Sequence, residues 1–515
     1  MRLLKPGHAI QANRAFRWIP VLLLFVLPLA AASQNAPLTG LDAYIGKAIK
    51  DWEVPGLSLA IVHRDSVVHA KGYGVKELGK PGTVTAQTVF AIGSASKAFT
   101  AALVGTLVDE GKLRWDDQVA KHLPGFQLYD PYASKELTVR DALSHRSGLA
   151  RGDRLWYATE YDRDEILNRV RLLEPTWSFR SNFGYQNIMY LAAGQVAAKA
   201  AGKKWDDLVT DRIFAPLGMS SSTTSIKKLA SAADVSTPHA RIDDKVKPIA
   251  WRNIDNIAPA GSINSNALDM AQWVRLQLGK GKYRGKELLK PATVREMHSA
   301  NTVIRSDPRS DSLLPETHLR AYGLGWFLED YRGRKLVHHG GNIDGMSALV
   351  FMVPEENLGL VILTNMNGTS LPAALARRIA DLYIGGARRD WSADYLAFTK
   401  EGQRRAAAQA QTIEKARVSG TKPSLALEKY AGKYDNEMYG PVNIELVDGQ
   451  LVLRAGPAFN AQLEHWHYDT FRATWADPVL GRSMVTFVLD AQGRPATLKV
   501  EGLADFERQF PRPGQ

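Results

Sequence analysis

The chain contains no cysteine in its 515 residues. This rules out a disulfide framework, a thiol nucleophile and a thiolate metal site. No His-Glu-x-x-His pair with zinc-protease spacing occurs, so no metal is expected, and no cofactor. A Gly-x-Ser-x-Gly elbow is also missing, which argues against an α/β-hydrolase. The net charge is +12, but the basic residues are dispersed and form no run interleaved with aromatics. A solvated basic surface is expected, not a nucleic-acid partner, and it is compatible with peripheral attraction to an anionic envelope.

What remains is an ordinary globular composition, 45% hydrophobic and 23% charged, long enough for two or three domains. Residues 1–33 read as a secretory signal. Arg2, Lys5, Arg14 and Arg17 precede the apolar run from Trp18 to Leu29, and small residues follow to Ser33. The run is short for a membrane span of about 20 residues. Cleavage and a periplasmic or secreted location are expected. No cysteine follows the segment, so a lipoprotein anchor is excluded.

The most informative stretch is Phe90 to Phe99, which contains Ser94-x-x-Lys97 and runs into helical spacing at Phe99, Leu103, Val104 and Leu107. Residues three apart share a helix face, so the hydroxyl of Ser94 and the amine of Lys97 should lie side by side. Ser94 would also sit at a helix N-terminus, where free N–H groups favour negative charge. A nucleophile, its base and oxyanion donors are what acyl transfer needs.

Further along, Thr138 reads as the cap of a helix ending at Leu143, followed by Ser144-His145-Arg146-Ser147-Gly148-Leu149. His145 is expected to organise that loop and not to act as a base. The tripeptide Arg151-Gly152-Asp153 is given no role. Tyr185-Gln186-Asn187 precedes a helix through Ile188 and Leu191; Tyr185 can move a proton, and Asn187 can pair with an amide or cap the helix. Ser262 and Asn264 read as caps before a helix from Ala267 to Leu278, and residues 299–320 as a polar surface loop. Ser347 to Val353 and Leu358 to Thr364 form a hairpin, preceded by His338-His339-Gly340-Gly341-Asn342, and Leu371 to Ile384 is a helix. Residues 388–424 read as a helical connector. From residue 425 to 515 short alternating strands suggest a small antiparallel barrel or sandwich. His465 to Tyr468 are the candidate there for a sugar site.

Ser94-x-x-Lys97, Tyr185-x-Asn187 and His339-x-Gly341 stand in one order. With Pro55-Gly56, the Leu143–Leu149 segment and Tyr322-Gly323-Leu324-Gly325-Trp326, residues 38–390 resemble the class C β-lactamase-related serine hydrolases. That group includes penicillin-binding proteins, DD-peptidases, D-aminopeptidases and esterases. The resemblance implies an α+β fold over residues 34–387: an antiparallel sheet flanked by helices, with an inserted helical part. The Tyr430-Ala431-Gly432-Lys433-Tyr434 start resembles the small β domain often appended to this family. Ser94 would form an acyl-enzyme, with Lys97 and Tyr185 sharing the base work. Asn187, His339 and Gly341 would bind substrate, and the N–H groups of Ser94 and Asn342 would form the oxyanion hole.

The chain departs from the lactamase pattern at His339-Gly340-Gly341, where Lys-Thr-Gly or Lys-Ser-Gly is usual. The change weakens the grip on an anionic substrate. It turns the expectation toward a short-chain ester, D-aminoacyl amide or peptide. Peptidoglycan peptides, β-lactams and a slowly turned over acyl-sensor are the alternatives.

Overall fold

The computed structural model describes residues 38–386 and 389–509. The expected signal, residues 1–33, lies outside them. Helix α1 (Leu41–Asp51) leads into a hairpin of β1 (Gly56–His63) and β2 (Ser66–Gly74). Its turn residues Arg64 and Asp65 both have positive φ, 50° and 61°, which matches the right-handed twist of the flanking strands. The remaining strands of this sheet come late in the chain: β3 (Thr302–Ile304), β4 (Arg320–Tyr322), β5 (Phe327–Tyr331), β6 (Arg334–Ile343), β7 (Met346–Val353) and β8 (Leu358–Thr364). The eight strands run β2-β1-β8-β7-β6-β5-β4-β3. Pairing from Leu57↔Thr364 to His63↔Leu358 joins the two ends of the domain. Residues 299–320 are therefore not a plain surface loop. They supply the edge strand β3, a helix at Pro308–Leu313 and the start of β4. Three-residue strands are too short to show alternation in the sequence.

Every residue of β7 and β8 is buried. Alternate side chains of a strand point to opposite faces. Val361 and Leu363 join the main core, and the intervening Leu360 and Ile362 are buried as well. The hairpin has no solvent side, which explains its unbroken apolar sequence.

The helical part is organised on α2 (Ser96–Asp109), buried from Ser96 to Leu107 on all sides. The single face read from the sequence is too narrow a description. Phe99 stacks on Trp273 with centroids 4.0 Å apart. Helix α3 (Val139–Leu143) is opened by a capping box, with Thr138 accepting from the Asp141 N–H and the Asp141 carboxylate accepting in return. Helix α4 (Asn187–Ala201) is capped by Gln186, whose side chain accepts from the Ile188 N–H, and not by Asn187. Helix α5 (Ala267–Leu278) is capped by Asn266. Ser262 instead donates to the Thr224 carbonyl at 2.6 Å, and Asn264 belongs to a two-residue strand paired with Phe90–Ala91.

Helices α6 (Leu371–Ile384) and α7 (Trp391–Lys415) lead to a closed eight-stranded barrel in which Gly432–Asn436 pairs with Ala504–Arg508. Tyr434, Leu453, Phe471, Phe487 and Phe506 fill it. Of the sugar-site candidates His465 to Tyr468, the indole of Trp466 is not free to stack on a ring. Trp466 is buried, with the Arg417 and Arg472 guanidinium groups each 4.9 Å from its ring centre. Arg417 also donates to the Trp466 carbonyl, so this corner fastens the connector to the barrel. The barrel rests on the helical part: Tyr161 Oη donates to the Tyr439 carbonyl at 2.9 Å, and Arg169 donates to the carbonyls of Glu437 and Met438.

Asp141 is fully buried and also accepts from Arg146 and Arg180. Burial alone would raise its pKa, but the bonds from Arg180, Thr138 and Arg146 outweigh this and hold it below the ordinary carboxylate value. A depressed folded-state pKa contributes stability above the unfolded value, lost as pH falls through the folded one. Asp141→Ala should cost about 3 kcal/mol in denaturant unfolding at neutral pH, because two guanidinium groups and a helix start lose their acceptor. The gap to the unsubstituted protein should narrow in acid.

Candidate active site

Ser94 lies in the 3-10 turn Gly93–Ala95 that opens α2 and is half-buried. One turn on, the Lys97 side chain has no exposure to water. Its Nζ is 3.0 Å from Ser94 Oγ, 2.7 Å from Asn187 Oδ1 and 2.8 Å from the Ala260 carbonyl. Burial drives the Lys97 pKa well below the ordinary lysine value; Asp153 opposes this and Arg151 adds to it. A neutral amine has two hydrogens and one lone pair. The oxygens of Asn187 and Ala260 only accept, so they take the two hydrogens. The lone pair is left facing the Ser94 hydroxyl.

Loss of water from the Tyr185 hydroxyl pushes its pKa above the usual phenol value, and the nearby Ser94 hydroxyl opposes this. Lys97 Nζ stands 4.8 Å from the Tyr185 ring centre. The phenol therefore keeps its proton and is available as a donor, not as a phenolate base.

His145 holds Tyr185 in place from both sides. Its carbonyl accepts from the Gly184 N–H at 2.8 Å, and its Nδ1 from the Gln186 N–H at 3.1 Å. The imidazole lies 4.3 Å from the Tyr185 ring. To make both bonds His145 adopts φ +59°, uncommon for a residue with a side chain. Because Nδ1 accepts, the ring proton is on Nε2, and burial keeps the ring neutral. As expected, His145 organises the loop.

Asn187 spends its oxygen on Lys97, while Nδ2 donates to Asp153 Oδ1 at 2.7 Å. One N–H is left for a substrate. Asp153 in turn pairs with Arg151 at 2.5 Å, and the Arg151 guanidinium lies 5.2 Å from the Tyr185 ring centre. The tripeptide given no role in the sequence thus supports both Tyr185 and Asn187. Its only visible mark was charge of both signs beside a glycine, 34 residues before the side chain it holds. The Ala260 carbonyl, a backbone group, left no mark at all.

Strand β6 supplies the opposite wall. It is continuous through His339, Gly340, Gly341 and Asn342. A Cβ on Gly341 would stand 1.8 Å from the Ile92 oxygen and 3.0 Å from the Ser94 nitrogen; one on Gly93 would stand 2.8 Å from the Asn342 nitrogen. Two glycines thus bring the Ser94 and Asn342 amides together. His339 departs from expectation. It is 1% exposed, and both ring nitrogens are engaged, by the Gly340 carbonyl at 2.7 Å and the Tyr322 hydroxyl at 2.8 Å. A carbonyl only accepts, so Nδ1 carries the hydrogen and Nε2 accepts from Tyr322. Burial, with Lys97 nearby, lowers its pKa to about 3. His339 is a neutral strut, not a cation or donor facing substrate.

The clamp on Tyr185 can be tested by replacing its acceptor. In His145→Asn, Oδ1 can stand where Nδ1 stood, and asparagine tolerates positive φ. His145→Leu removes the acceptor. The leucine variant should lose about 100-fold in kcat/KM, and the asparagine variant should recover most of it. Melting temperatures of the two should stay close, which separates positioning from folding.

Residues 41–384 match the model of the Beta-lactamase family, and residues 416–512 match a domain of unknown function, DUF3471. Unguisins hydrolase ungD of Aspergillus violaceofuscus is 27% identical over 513 residues, covering 92% of this chain and 89% of that protein. Penicillin-binding protein 4 of Amycolatopsis lactamdurans is 30% identical over 324 residues, 61% of this chain and 81% of that one. Among solved structures, the octameric penicillin-binding protein homologue from Pyrococcus abyssi aligns with a TM-score of 0.61 at 20% identity, over 91% of this chain and 99% of that chain. A neutral amine aimed at a half-exposed serine, on this fold and in this company, identifies the chain as a serine hydrolase of the Beta-lactamase family.

Proposed function

We propose that the chain hydrolyses an ester or amide through an acyl-enzyme on Ser94. The observation that carries this reading is the buried Lys97 amine, whose Nζ stands 3.0 Å from Ser94 Oγ with the Asn187 and Ala260 oxygens on its other sides. Lys97 takes the hydroxyl proton as Ser94 attacks the carbonyl carbon. The developing oxyanion lies between the N–H groups of Ser94 and Asn342, which are preorganised and need not reorient. Tyr185 gives its proton to the departing alkoxide or amine and recovers one from Lys97. Water then attacks the acyl ester by the same route in reverse, releasing the acid and restoring Ser94.

Membership of this hydrolase family, with an unguisins hydrolase and a penicillin-binding protein among the relatives, favours a small-molecule or peptide substrate. The neutral, fully engaged His339 weighs against β-lactams, whose carboxylate would meet no charge on β6. Short-chain esters, D-aminoacyl amides and short peptides fit better. The basic, apolar and small-residue order of residues 1–33 supports export to the periplasm or beyond.

A panel of such esters, amides, D-Ala-D-Ala peptides and β-lactams, with Ser94→Ala as control, tests the reading. Turnover should vanish in the control, and an acyl adduct should be trapped on Ser94. Turnover that persists in Ser94→Ala would overturn it. Lys97→Arg places a permanent charge where a lone pair is needed, and should lower kcat by about 1000-fold or more. Below the lowered Lys97 pKa the amine is protonated and inactive. Activity should therefore rise with pH through that lowered value and level off above it, without waiting for the ~10.4 of a free lysine. A pH–rate profile reads this directly.

A further inference from the structure

Lys97 Nζ is held against Ser94 Oγ by two oxygens, Oδ1 of Asn187 at 2.7 Å and the Ala260 carbonyl at 2.8 Å. One belongs to a side chain at the start of α4, the other to the backbone of the short helix Ala258–Gly261. The amine keeps its direction only while the spacing of these two oxygens is kept. Both supports can be followed outward, and they meet at one residue, Asn256.

On the first arm, Asn187 Nδ2 donates to Asp153 Oδ1 at 2.7 Å, and the same oxygen accepts from the Trp156 indole N–H at 2.9 Å. Trp156 is buried, and its carbonyl accepts from Asn256 Nδ2 at 2.9 Å. The other hydrogen of that amide goes to the Tyr161 carbonyl at 3.1 Å. Carbonyls only accept, so chemistry fixes which way the Asn256 amide points. On the second arm, Asn256 lies in the 3-10 turn Asp255–Ile257, which runs without a break into the helix that presents the Ala260 carbonyl. Other groups grip this turn too. Arg163 Nε donates to the Asp255 carbonyl at 3.0 Å, and Ser225 Oγ to the Asp255 carboxylate at 2.7 Å. Asn256 stands apart from the cleft: it lines a cavity of about 920 Å³ with Tyr161, Arg163, Lys199 and Asp206, and Ser94, Lys97, Tyr185 and Asn187 do not line it.

We propose that Asn256 is a positioning residue for the base: it ties the loop that aims Asn187 to the turn that presents Ala260, and so sets the spacing of the two oxygens that hold Lys97. The inference rests on the acyl-enzyme reading above and adds a residue that acts on the reaction without touching substrate. Neither arm fixes that spacing alone. Asp153 turns the Asn187 amide and the short helix presents its carbonyl, but with the tie cut the two supports shift independently. In a preorganised site a relative shift of about 1 Å is enough to slow the reaction severely.

The test follows acylation of Ser94 by p-nitrophenyl acetate, as nitrophenol released by the full chain, in Asn256→Leu, Trp156→Phe and the double variant. The leucine removes both amide donors; the phenylalanine removes the indole N–H and keeps an aromatic ring. Each single variant should lower the limiting rate about ten-fold, while the half-saturating ester concentration stays within about two-fold. The double variant should be scarcely slower than the slower single one, because both changes cut the same arm. Losses that multiply to about 100-fold, a change confined to the half-saturating concentration, or an unchanged rate in Asn256→Leu would each overturn the inference. Melting curves check that each variant is folded, and Asn256→Ala replaces the leucine variant if that one is not. Ser94→Ala reports the acyl-enzyme reading separately. Release that persists in Ser94→Ala overturns that reading, whereas release lost there and untouched by Asn256→Leu overturns only the positioning role.

Discussion

A primary amine shut away from water is the constraint on which the rest of this molecule turns. Lys97 is wholly buried, and a charged ammonium there would lose several kcal/mol of hydration. The surroundings do not restore the charge with a carboxylate in contact. They offer two carbonyl oxygens and a hydroxyl. That set suits an uncharged amine, and it fixes which way the amine points. The same burial that costs the helix a solvated lysine creates the base.

Much of the architecture can be understood as holding the three partners of Lys97 still. The Ala260 carbonyl comes from the short helix Ala258–Gly261, packed against both α2 and α4. The Asn187 oxygen is aimed by Asp153 from the other end of the amide. Ser94 is pinned by backbone contact with β6, possible only because residues 93 and 341 lack side chains. Tyr185 is oriented through the amides on both sides of it, by one histidine in a strained conformation. Asp141 steadies that histidine by gripping Arg146 and Arg180, whose own amide donates to the Arg146 carbonyl. Strain at residue 145 persists because the capping box and these ion pairs over-determine the loop.

The sequence made the major pieces legible where local chemistry repeats or interrupts. The hairpin of β7 and β8, the helix Leu371–Ile384 and the Thr138 cap followed from apolar runs, spacing and a polar residue at a boundary. Ser94, Lys97 and Tyr185 were marked by residue type and order. Groups acting over long separations were not. Asp153, Arg151 and the Ala260 carbonyl are side chains or backbone whose meaning comes only from what folds against them. Three barrel strands show no clear alternation in the sequence. Gly432–Asn436 and Ala504–Arg508 are short and mostly polar. In Asn460–His467 a bulge between His465 and His467 breaks the alternation. His339 was misjudged for a related reason: residue type gives a pKa near 6.5, but burial decides it.

The neutrality of His339 has a consequence for how the site divides its labour. In the lysine-bearing pattern the strand beside the nucleophile both lines the cleft and carries charge. Here β6 keeps the first role, through Gly341 and the Asn342 amide, and drops the second. Its imidazole is turned inward to Tyr322, which also lies 3.3 Å from the Tyr190 hydroxyl. Tyr190 in turn donates to the Leu143 carbonyl at 2.5 Å, on the helix leading to His145. The chain of bonds thus runs from the oxyanion strand to the loop that clamps Tyr185. A lysine at 339 could not accept from Tyr322, and its charge would stand near Lys97, depressing that amine further. The histidine joins the two walls of the cleft with no charge between them.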